Sequence, residues 1–462
     1  MRAVLAGLLL AAFSCAEDWP RFRGPNGSGV AASSGLPSEL GPTKNLLWRV
    51  DTPPGHSSPI VYGDRVFFTG IEKDRLVTLC LRSQDGALLW KRECPRLRRD
   101  TIDKRNNAAS PTPVAGDGAV YVFFQEFGLI SYTLDGGERW RLPLGPFDNF
   151  YGMGASPIVA GSTIVLVCDQ KRGSFVLAVD KNKGTERWRR SRPEAVSGHS
   201  TPVLYQAKGG PLQVIAPGSF RMNSYQAETG EPLWHADGLA SEMKSVPVVD
   251  GDVVYINGYN MPDNDPGKHV AVPDFAAMRK FDGNNNGFLE RAELPEGPAK
   301  KFLEYIDMDG DGRLDAEEWE MYRKSMAAEN ALLAINSAGR VLWKFHRSIP
   351  QLPSTVLYGG ILYMISDGGI LTSLDPKTGE AFAQTRLRTA ADKIYASPVA
   401  ADGKVFFVTE GGVIAVRKAG KEHSLLSTTD LEEPVYATPA IAGGRIFIRS
   451  TRSLFCFGLP KP

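Results

Sequence analysis

Two twelve-residue stretches of the sequence place side-chain oxygens at regular positions. The stretch from Asp307 to Glu318, DMDGDGRLDAEE, has such oxygens at positions 1, 3, 5, 9 and 12 and a glycine at position 6. Calcium prefers carboxylate and carbonyl oxygens, and the glycine permits the sharp turn by which a loop wraps around the ion. The stretch therefore predicts an EF-hand calcium loop. Its predicted ligands are the side chains of Asp307, Asp309, Asp311, Asp315 and Glu318 and the backbone carbonyl of Arg313.

The stretch from Asp282 to Glu293, DGNNNGFLERAE, fits the same pattern with two asparagines in place of aspartates. Its predicted ligands are the side chains of Asp282, Asn284, Asn286, Glu290 and Glu293 and the backbone carbonyl of Phe288. The side-chain ligands include three carboxylates here and five in the later stretch. Because carboxylate count is one of the features that tune calcium affinity, we expect two calcium sites, of which the second is the stronger.

The residues around the two loops favour a compact EF-hand pair. Apolar residues recur at helical spacing in 275–281, before the first loop, and in 319–327, after the second. The loops begin only 25 residues apart, and Pro295 and Pro298 shorten the connecting helices. Extracellular calcium modules have dissociation constants of about 0.1–1 mM and stay largely loaded, which favours a structural tie over a switch.

A second pattern extends along the chain and predicts the framework that carries these loops. A small residue followed by proline and an apolar pair recurs, and successive copies are separated by 54, 44, 45, 45, 108, 43 and 41 residues. The one anomalous interval contains the calcium loops. The copies are Ser58-Pro59, Thr112-Pro113, Ser156-Pro157, Thr201-Pro202, Val246-Pro247, the degenerate Ser354-Thr355, Ser397-Pro398 and Thr438-Pro439.

Each interval holds short apolar runs separated by Gly/Asp turns, and four strands in a repeat of about 40–50 residues are typical of propeller blades. The eight copies predict an all-β fold, an eight-bladed β-propeller of four-stranded antiparallel blades. In the last blade, the strand at 454–457 is the third and last one that the remaining sequence can supply. We expect residues 46–50, which include Trp48, to supply its fourth strand and close the ring.

Strand counting places the calcium loops in blade five, as a small α-helical insert between the second and third strands. The predicted organisation is an export signal at 1–16, the first part of the propeller at 17–257, the EF-hand pair at 258–330 and the rest of the propeller at 331–462. In an up-and-down blade this insert shares a face with the connections between blades, among them the basic linker 96–105.

The opening segment DWPRFRGPNGSG at 18–29 and the A-x-D-x-x-x-G-x-x-x-W segments, as at 178–188, resemble the PQQ-binding-like (quinoprotein-like) β-propeller repeat proteins. That group includes the outer-membrane protein assembly factor lipoprotein. The resemblance covers nearly the whole chain apart from the insert. It implies the propeller fold and implies little about function, because the repeat tryptophans pack blade against blade.

The N-terminus predicts export. Residues 1–16 have one positive residue, Arg2, an apolar core and small residues before Glu17. The apolar run is shorter than the about 20 residues of a transmembrane helix, and no transmembrane segment is expected. Cleavage after Ala16 is the favoured interpretation, and acylation of Cys15 as a lipid anchor is the alternative. The protein is therefore expected in the periplasm, outside the cell, or at the outer membrane as a lipoprotein.

Charge and cysteine content exclude several kinds of partner. The 53 basic and 52 acidic residues nearly cancel, so nucleic acid is not an expected partner. The cysteines beyond Cys15 are too few and too scattered for a disulfide framework. A bridge between Cys80 and Cys94 is an alternative that nothing in the sequence compels.

The sequence predicts no catalytic residues and no organic cofactor site. It has no Cys-Cys pair and its repeats are shorter than those of the quinoprotein dehydrogenases, so PQQ is not expected. The favoured hypothesis is a calcium-binding, non-catalytic cell-envelope scaffold that binds a protein or polysaccharide ligand on the face bearing the insert. The alternative is a PQQ-dependent dehydrogenase of alcohols or sugars.

Overall fold

The computed structural model of the chain describes residues 17–260, 271–387 and 393–460. Eight four-stranded antiparallel sheets follow one another around a ring, which confirms the predicted eight-bladed β-propeller. The export-signal prediction, with Cys15, and residues 261–270 of the insert lie outside the described residues. Among the residues described, no helix combines the length and the apolar character needed to cross a membrane.

Strand β1 is Leu46–Asp51, and the next four sheets each form one blade of consecutive strands. Blade one comprises β2 (Ile60–Tyr62), β3 (Arg65–Glu72), β4 (Arg75–Arg82) and β5 (Leu88–Cys94). Blade two comprises β6 (Val114–Gly116), β7 (Ala119–Phe124), β8 (Gly128–Thr133) and β9 (Glu138–Pro143). Blade three comprises β10 (Ile158–Ala160), β11 (Thr163–Cys168), β12 (Phe175–Asp180) and β13 (Glu186–Ser191). Blade four comprises β14 (Val203–Gln206), β15 (Leu212–Pro217), β16 (Arg221–Gln226) and β17 (Pro232–Asp237).

Blade five is interrupted by the insert. It begins with β18 (Val248–Asp250) and β19 (Val253–Gly258) and ends with β22 (Ala331–Asn336) and β23 (Val341–Phe345). Between them lie α1 (Phe275–Met278), a 3-10 turn (Arg279–Phe281), β20 (Leu289–Glu290), α2 (Pro298–Lys301), α3 (Leu303–Ile306), β21 (Arg313–Leu314) and α4 (Ala316–Ala327). Because Gly258 pairs directly with Ala331, the insert leaves and re-enters the blade at one point.

The last three blades return to the regular pattern. Blade six comprises β24 (Val356–Tyr358), β25 (Ile361–Ser366), β26 (Ile370–Leu374) and β27 (Ala381–Arg386). Blade seven comprises β28 (Val399–Ala401), β29 (Lys404–Val408), β30 (Val413–Lys418) and β31 (Leu425–Asp430). Blade eight comprises β32 (Ala440–Ala442), β33 (Arg445–Arg449) and β34 (Ser453–Gly458), and β1 pairs antiparallel with β34 as its outer strand.

Burial along the strands follows from the stacking of blades. The middle strand β7, with sequence AVYVFF, is buried at every position because its sheet has a neighbouring blade on each face. The outer strand β1 alternates between half-buried and exposed residues. The apolar run of β7 and the alternation of β1 reflect these two positions in a blade.

The repeat tryptophans, on the outer strands of blades one to five and of blade eight, pack against the next blade. Trp90 on β5 donates its indole N–H to the carbonyl of Leu134 in blade two at 2.7 Å, and Trp188 does the same to Ala227 in blade four at 3.0 Å. Each ring covers a glycine of the neighbouring blade, such as Gly230, which has a φ of 70° and where a Cβ would lie 2.5 Å from the Trp188 ring. The A-x-D-x-x-x-G-x-x-x-W pattern thus encodes blade-to-blade packing.

The small residue before each proline forms a circular hydrogen-bonded belt. The backbone N–H of one such residue donates to the side-chain hydroxyl of its counterpart in the next blade, as from Ser58 to Thr112 at 2.9 Å. The last link, from Thr438 back to Ser58 at 2.9 Å, joins blade eight to blade one. The link from Thr201 is missing, because its counterpart Val246 has no hydroxyl. The other links are Thr112 to Ser156, Ser156 to Thr201, Val246 to Ser354, Ser354 to Ser397 and Ser397 to Thr438.

We expect Val246→Thr to complete the belt and to raise the free energy of unfolding by about 0.5–1.5 kcal/mol, the usual net value of a buried hydrogen bond. Threonine has nearly the shape of valine, so little repacking is needed. The measurement is the shift of the urea unfolding midpoint. Val248→Thr is the matched control, because it buries a hydroxyl in the same blade outside the belt; equal destabilisation by both substitutions would contradict the belt.

The N-terminal segment, residues 17–31, crosses the ring centre. It pairs with inner strands of several blades, through Trp19 with Val61 in blade one and through Ala31 with Ala400 in blade seven. Arg21 donates to the carbonyl of Pro202 at 2.5 Å, and Arg23 donates to that of Thr355 at 2.6 Å. Burial lowers the pKa of both guanidinium groups to about 9. The opening motif therefore ties together blades that are not neighbours.

The four described cysteines are free and buried. Cys80 and Cys94 both lie in blade one, and the bridge that the sequence left open is absent there. Burial raises the pKa of each of these two thiols to about 12. They are core residues of the blade packing.

Candidate metal centre

The second predicted loop is organised around the buried carboxylate of Asp307. This carboxylate accepts the N–H of Gly310 at 2.7 Å on Oδ1 and the N–H of Gly312 at 2.9 Å on Oδ2. Gly312 has a φ of 83°, a conformation that glycine adopts without strain, so the backbone can turn at this point. Carboxylate oxygens of Asp307, Asp309 and Asp311 lie within 4.8 Å of one another. Like charges at this spacing favour a bound cation.

Glu318 closes the loop from the first turn of α4. Its Oε1 accepts the N–H of Met308 at 2.8 Å and its Oε2 accepts the N–H of Asp315 at 3.1 Å. Asp315 Oδ1 in turn accepts the N–H of Glu318 at 2.8 Å, so the two residues form a capping box. Burial raises the pKa of Glu318, because these N–H donors offset only part of the desolvation. A divalent cation beside the carboxylate would favour its charged form.

The first loop has the same backbone skeleton. Asp282 accepts the N–H groups of Asn286 at 3.1 Å and Gly287 at 2.9 Å. Glu293 accepts the N–H of Gly283 at 2.9 Å on Oε1 and that of Glu290 at 3.0 Å on Oε2. The two loops therefore present their first and last carboxylates in equivalent ways.

The middle of the first loop differs from that of the second in its charge. The side-chain amides of Asn284 and Asn286 donate to Oε1 of Glu290, at 3.4 and 3.0 Å. In the second loop, the Arg313 guanidinium donates to Asp311 at 2.8 Å and lies 4.3 Å from the centre of the Phe288 ring. In the first loop, the predicted ligands Asn284 and Asn286 thus converge on Glu290, and in the second loop the carboxylates of Asp307, Asp309 and Asp311 converge.

The loops are joined by the short strands β20 and β21, in which Leu289 lies opposite Leu314. Both leucines are fully buried, and they pack in one cluster with Leu303 and Trp319. Trp319 donates its indole N–H to the carbonyl of Pro273 at 2.9 Å. The helices α1, α2 and α3 are each four residues long, so the predicted compact pair is built mainly on α4.

The donor set fits a hard divalent cation. Each loop offers carboxylate and amide oxygens on a twelve-residue backbone, together with a carbonyl at Phe288 or Arg313, and calcium accepts six to eight oxygens in such a geometry. Neither stretch contains a cysteine or a histidine, whose thiolate and imidazole groups are the ligands that zinc prefers.

The insert docks on the propeller near blades two to four. The Phe150 ring, between blades two and three, lies 4.3 Å from the ring of Tyr305. Arg172, in the connection from β11 to β12, contacts the second loop through Asp309 and Glu318. Connections between blades and connections from second to third strands meet at one face of a propeller, and the insert covers part of that face.

A cleft of about 350 Å³ separates the insert from the propeller. One wall carries aromatic and methionine side chains of the insert, and the floor carries polar groups of blades three to five. The residues that characterise it are Tyr151, Glu242, Lys244, Tyr305, Met308 and Met321.

Glu242 is held in this floor by three polar neighbours. The Lys244 ammonium lies 2.7 Å from it, Ser197 donates to it at 2.8 Å, and His199 Nε2 lies 3.4 Å away. Burial acts to raise the pKa of Glu242, but Lys244 and His199 outweigh it and the net pKa is lowered. Glu242 is therefore a fixed negative charge. No sequence motif marks this group, because its members come from two different connections between blades.

The basic linker 96–105 is neutralised within the protein. Arg96 pairs with Glu126 and Asp74, and Arg99 pairs with Asp74. Arg105 pairs with Asp103 at 2.7 Å and lies over the Tyr151 ring. These intramolecular ion pairs are typical of an ordinary surface loop.

Comparison with known proteins identifies both parts of the chain. A family model described as "Outer membrane protein assembly factor BamB" matches residues 38–200, 172–270 and 312–458. A model described as "EF hand" matches residues 299–321, which include the second loop. The outer membrane protein assembly factor BamB of Alkalilimnicola ehrlichii is 30% identical over 204 residues, which are 44% of this chain and 48% of the relative. The chain spans about half the length of the curated relatives that it matches.

Solved structures share the fold at low sequence identity. BamB from Moraxella catarrhalis aligns with a TM-score of 0.56 at 11% identity and covers 90% of this chain and 99% of its own. A europium-containing methanol dehydrogenase aligns with a TM-score of 0.62 at 9% identity and covers 96% and 98%. These structural similarities establish the propeller and no activity. Since the first family model spans most of the sequence, the chain belongs to the family of the outer membrane protein assembly factor BamB and carries an EF-hand insert in its fifth blade.

Proposed function

We propose that the protein is a calcium-binding, non-catalytic scaffold of the cell envelope. The observation that carries this proposal is the second loop, where three aspartates converge and Glu318 closes the ligand set from the start of α4. The equivalent first loop supports a second ion. Calcium connects the first and last side chains of each loop, Asp282 with Glu293 and Asp307 with Glu318, and so stiffens the two loops.

The proposed location is outside the inner membrane. The relatives are named for outer membrane protein assembly. The export signal predicted at 1–16 favours the same location. In the alternative, lipidation of Cys15 would anchor the protein to the membrane. At extracellular calcium concentrations the two loops act as structural ties.

The proposed partner is an envelope protein that binds the face carrying the insert. The names of the relatives favour a protein over the polysaccharide alternative. The cleft beside Tyr305 and Met308 offers rings and thioethers next to the fixed charge of Glu242. Such surfaces bind side chains that have an apolar body and a polar end.

The test of the scaffold is capture from envelope extract with and without calcium. The immobilised chain should retain a defined protein in calcium and release it in chelator. The control replaces residues 259–330 by a two-residue Asn-Gly turn, which can join β19 to β22 because Gly258 and Ala331 are paired. Retention of the same protein by this shortened chain would contradict a role of the insert.

The quinoprotein alternative has a separate test. Residues 17–31 fill part of the space between the inner strands, which leaves less room on the ring axis for a quinone. Purified protein that shows a PQQ absorption band and oxidises alcohols or sugars with an artificial electron acceptor would overturn the scaffold proposal.

A further inference from the structure

One residue of the propeller reaches into the second calcium loop. The Arg172 guanidinium, from blade three, places Nη2 3.2 Å from Asp309 Oδ2 and 3.4 Å from Glu318 Oε1. These carboxylates occupy positions 3 and 12 of the loop, and both are among the predicted calcium ligands. The Arg172 side chain is 48% exposed, and its partner Glu318 is 2% exposed.

In the described part of the chain, no cation of the propeller contacts the carboxylates of the first loop, although Arg313 of the insert lies opposite Glu290. Its carboxylates, on Asp282, Glu290 and Glu293, accept hydrogen bonds from backbone N–H groups and asparagine amides. Within the described ranges 17–260, 271–387 and 393–460, no lysine or arginine lies within 4.0 Å of these three carboxylates. The two loops therefore differ in two respects: the second loop has more carboxylates, and it also has the positive charge of Arg172 beside it.

We propose that Arg172 sets the calcium affinity of the second loop by competing with the ion for Asp309 and Glu318. The inference rests on the proposed calcium binding. Calcium needs an oxygen of Asp309 and both oxygens of Glu318, and Arg172 contacts one oxygen on each. A guanidinium this close either leaves or remains beside the ion and repels it, and both outcomes weaken binding. The number of carboxylates alone therefore overestimates how much more tightly the second loop binds calcium than the first.

The coupling acts in both directions. If Arg172 lowers the affinity for calcium, calcium must weaken the attachment of Arg172 to the insert by the same factor. The contact between Phe150 and Tyr305 does not involve the loop carboxylates and remains. Since Glu318 and Met308 also line the cleft, calcium would loosen the insert at the cleft edge while Phe150 holds the other side.

The test isolates the second loop in the full-length chain. Glu293→Gln weakens the first loop, and calorimetric titration with calcium then reports the second. In this background we expect Arg172→Ala to bind calcium about threefold to tenfold more tightly, the range for removal of one or two partly exposed ion pairs. Arg172→Lys keeps the charge and should fall between the two. Lys183→Ala, which removes a charge from an exposed turn of blade three, is the control and should leave the affinity unchanged.

The outcomes separate the inference from the proposed function. A residue that only held the insert in place would give weaker or unchanged binding when removed, and either result for Arg172→Ala would overturn the inference. Calcium binding that persists in those variants would leave the proposed function intact. Absence of any binding in Glu293→Gln with Arg172 present would overturn the second site itself, and the inference with it. The affinity gap should also shrink as salt is raised, because exposed charges are screened.

Discussion

Glu318→Gln is expected to weaken calcium binding at the second loop by about a hundredfold, or about 2.7 kcal/mol. The substitution keeps the length of the side chain, but it removes the negative charge and replaces one ligand oxygen by an amide N–H₂. That group would face the N–H of Met308 or the N–H of Asp315, so one of these two hydrogen bonds would be lost. Loss of one partner of a buried charge pair costs about 2–5 kcal/mol, which brackets the expected effect.

The measurement is calorimetric titration of the full-length variant against wild type. Glu317→Gln is the matched control, because this neighbour lies in the same helical turn, is exposed and is not a predicted ligand. It should bind calcium as wild type does. Isotherms of Glu318→Gln and wild type that cannot be distinguished would mean that the second loop is not a calcium site.

Arg192→Met is expected to lower the free energy of unfolding by about 3–5 kcal/mol. Arg192 is fully buried and forms two hydrogen bonds with the buried Asp169, at 2.8 and 3.2 Å. It also donates to the carbonyl of Pro217 at 3.1 Å and to the Tyr225 hydroxyl at 3.2 Å, so it joins blade three to blade four. Methionine fills much of the volume but leaves the Asp169 carboxylate buried without a counter-charge.

The shift of the urea unfolding midpoint measures this effect. Arg189→Met, on the strand β13 that ends just before Arg192, removes an exposed pair with Glu186 and should cost less than about 1 kcal/mol. Adding Asp169→Leu to Arg192→Met should recover part of the loss, because the orphaned charge is then removed. If Arg189→Met and Arg192→Met lowered the free energy of unfolding equally, the buried pair would contribute no more to stability than the exposed pair.

The periodic features of this protein could be predicted from its sequence. The proline markers counted the blades correctly because each one begins an inner strand, and the small residue before it is a member of the hydrogen-bonded belt. Trp48 indicated a closing strand, and in the structure Trp48 lies opposite Cys456 of β34 and donates to Ser83 of blade one. The belt lacks its link at the copy with Val246, which has no hydroxyl, and keeps its links at the degenerate copy Ser354-Thr355.

Contacts that do not recur from blade to blade could not be predicted from the sequence. Arg23 donates to Thr355, 332 positions further along the chain, and nothing in the opening motif specifies that carbonyl. Arg172 lies in a turn whose sequence resembles an ordinary polar loop, and its contact with Glu318 depends on how a folded insert docks on a folded ring. The two EF-hand loops are the opposite case, since the predicted side-chain ligands of each loop lie within twelve residues and the geometry of the loop follows from local hydrogen bonds.

Docking also changes what the two loops are expected to do. By carboxylate count the second loop is the stronger site, yet Arg172 and Arg313 offset part of its negative charge. Arg172 also makes calcium a factor in how the insert sits on the propeller. The composition of the two loops predicts a structural role for calcium. The contact of Arg172 with Glu318, which also lines the cleft, adds a route by which calcium binding would change the cleft.

The most direct test of the central claim is the number of calcium ions bound by the intact chain. Protein stripped with chelator and dialysed against calcium should bind two ions, and the double variant Glu293→Gln, Glu318→Gln should bind none. The single variants should each retain one. A wild-type chain that binds no calcium, or a double variant that still binds two ions, would contradict the assignment of the insert as a calcium-binding EF-hand pair.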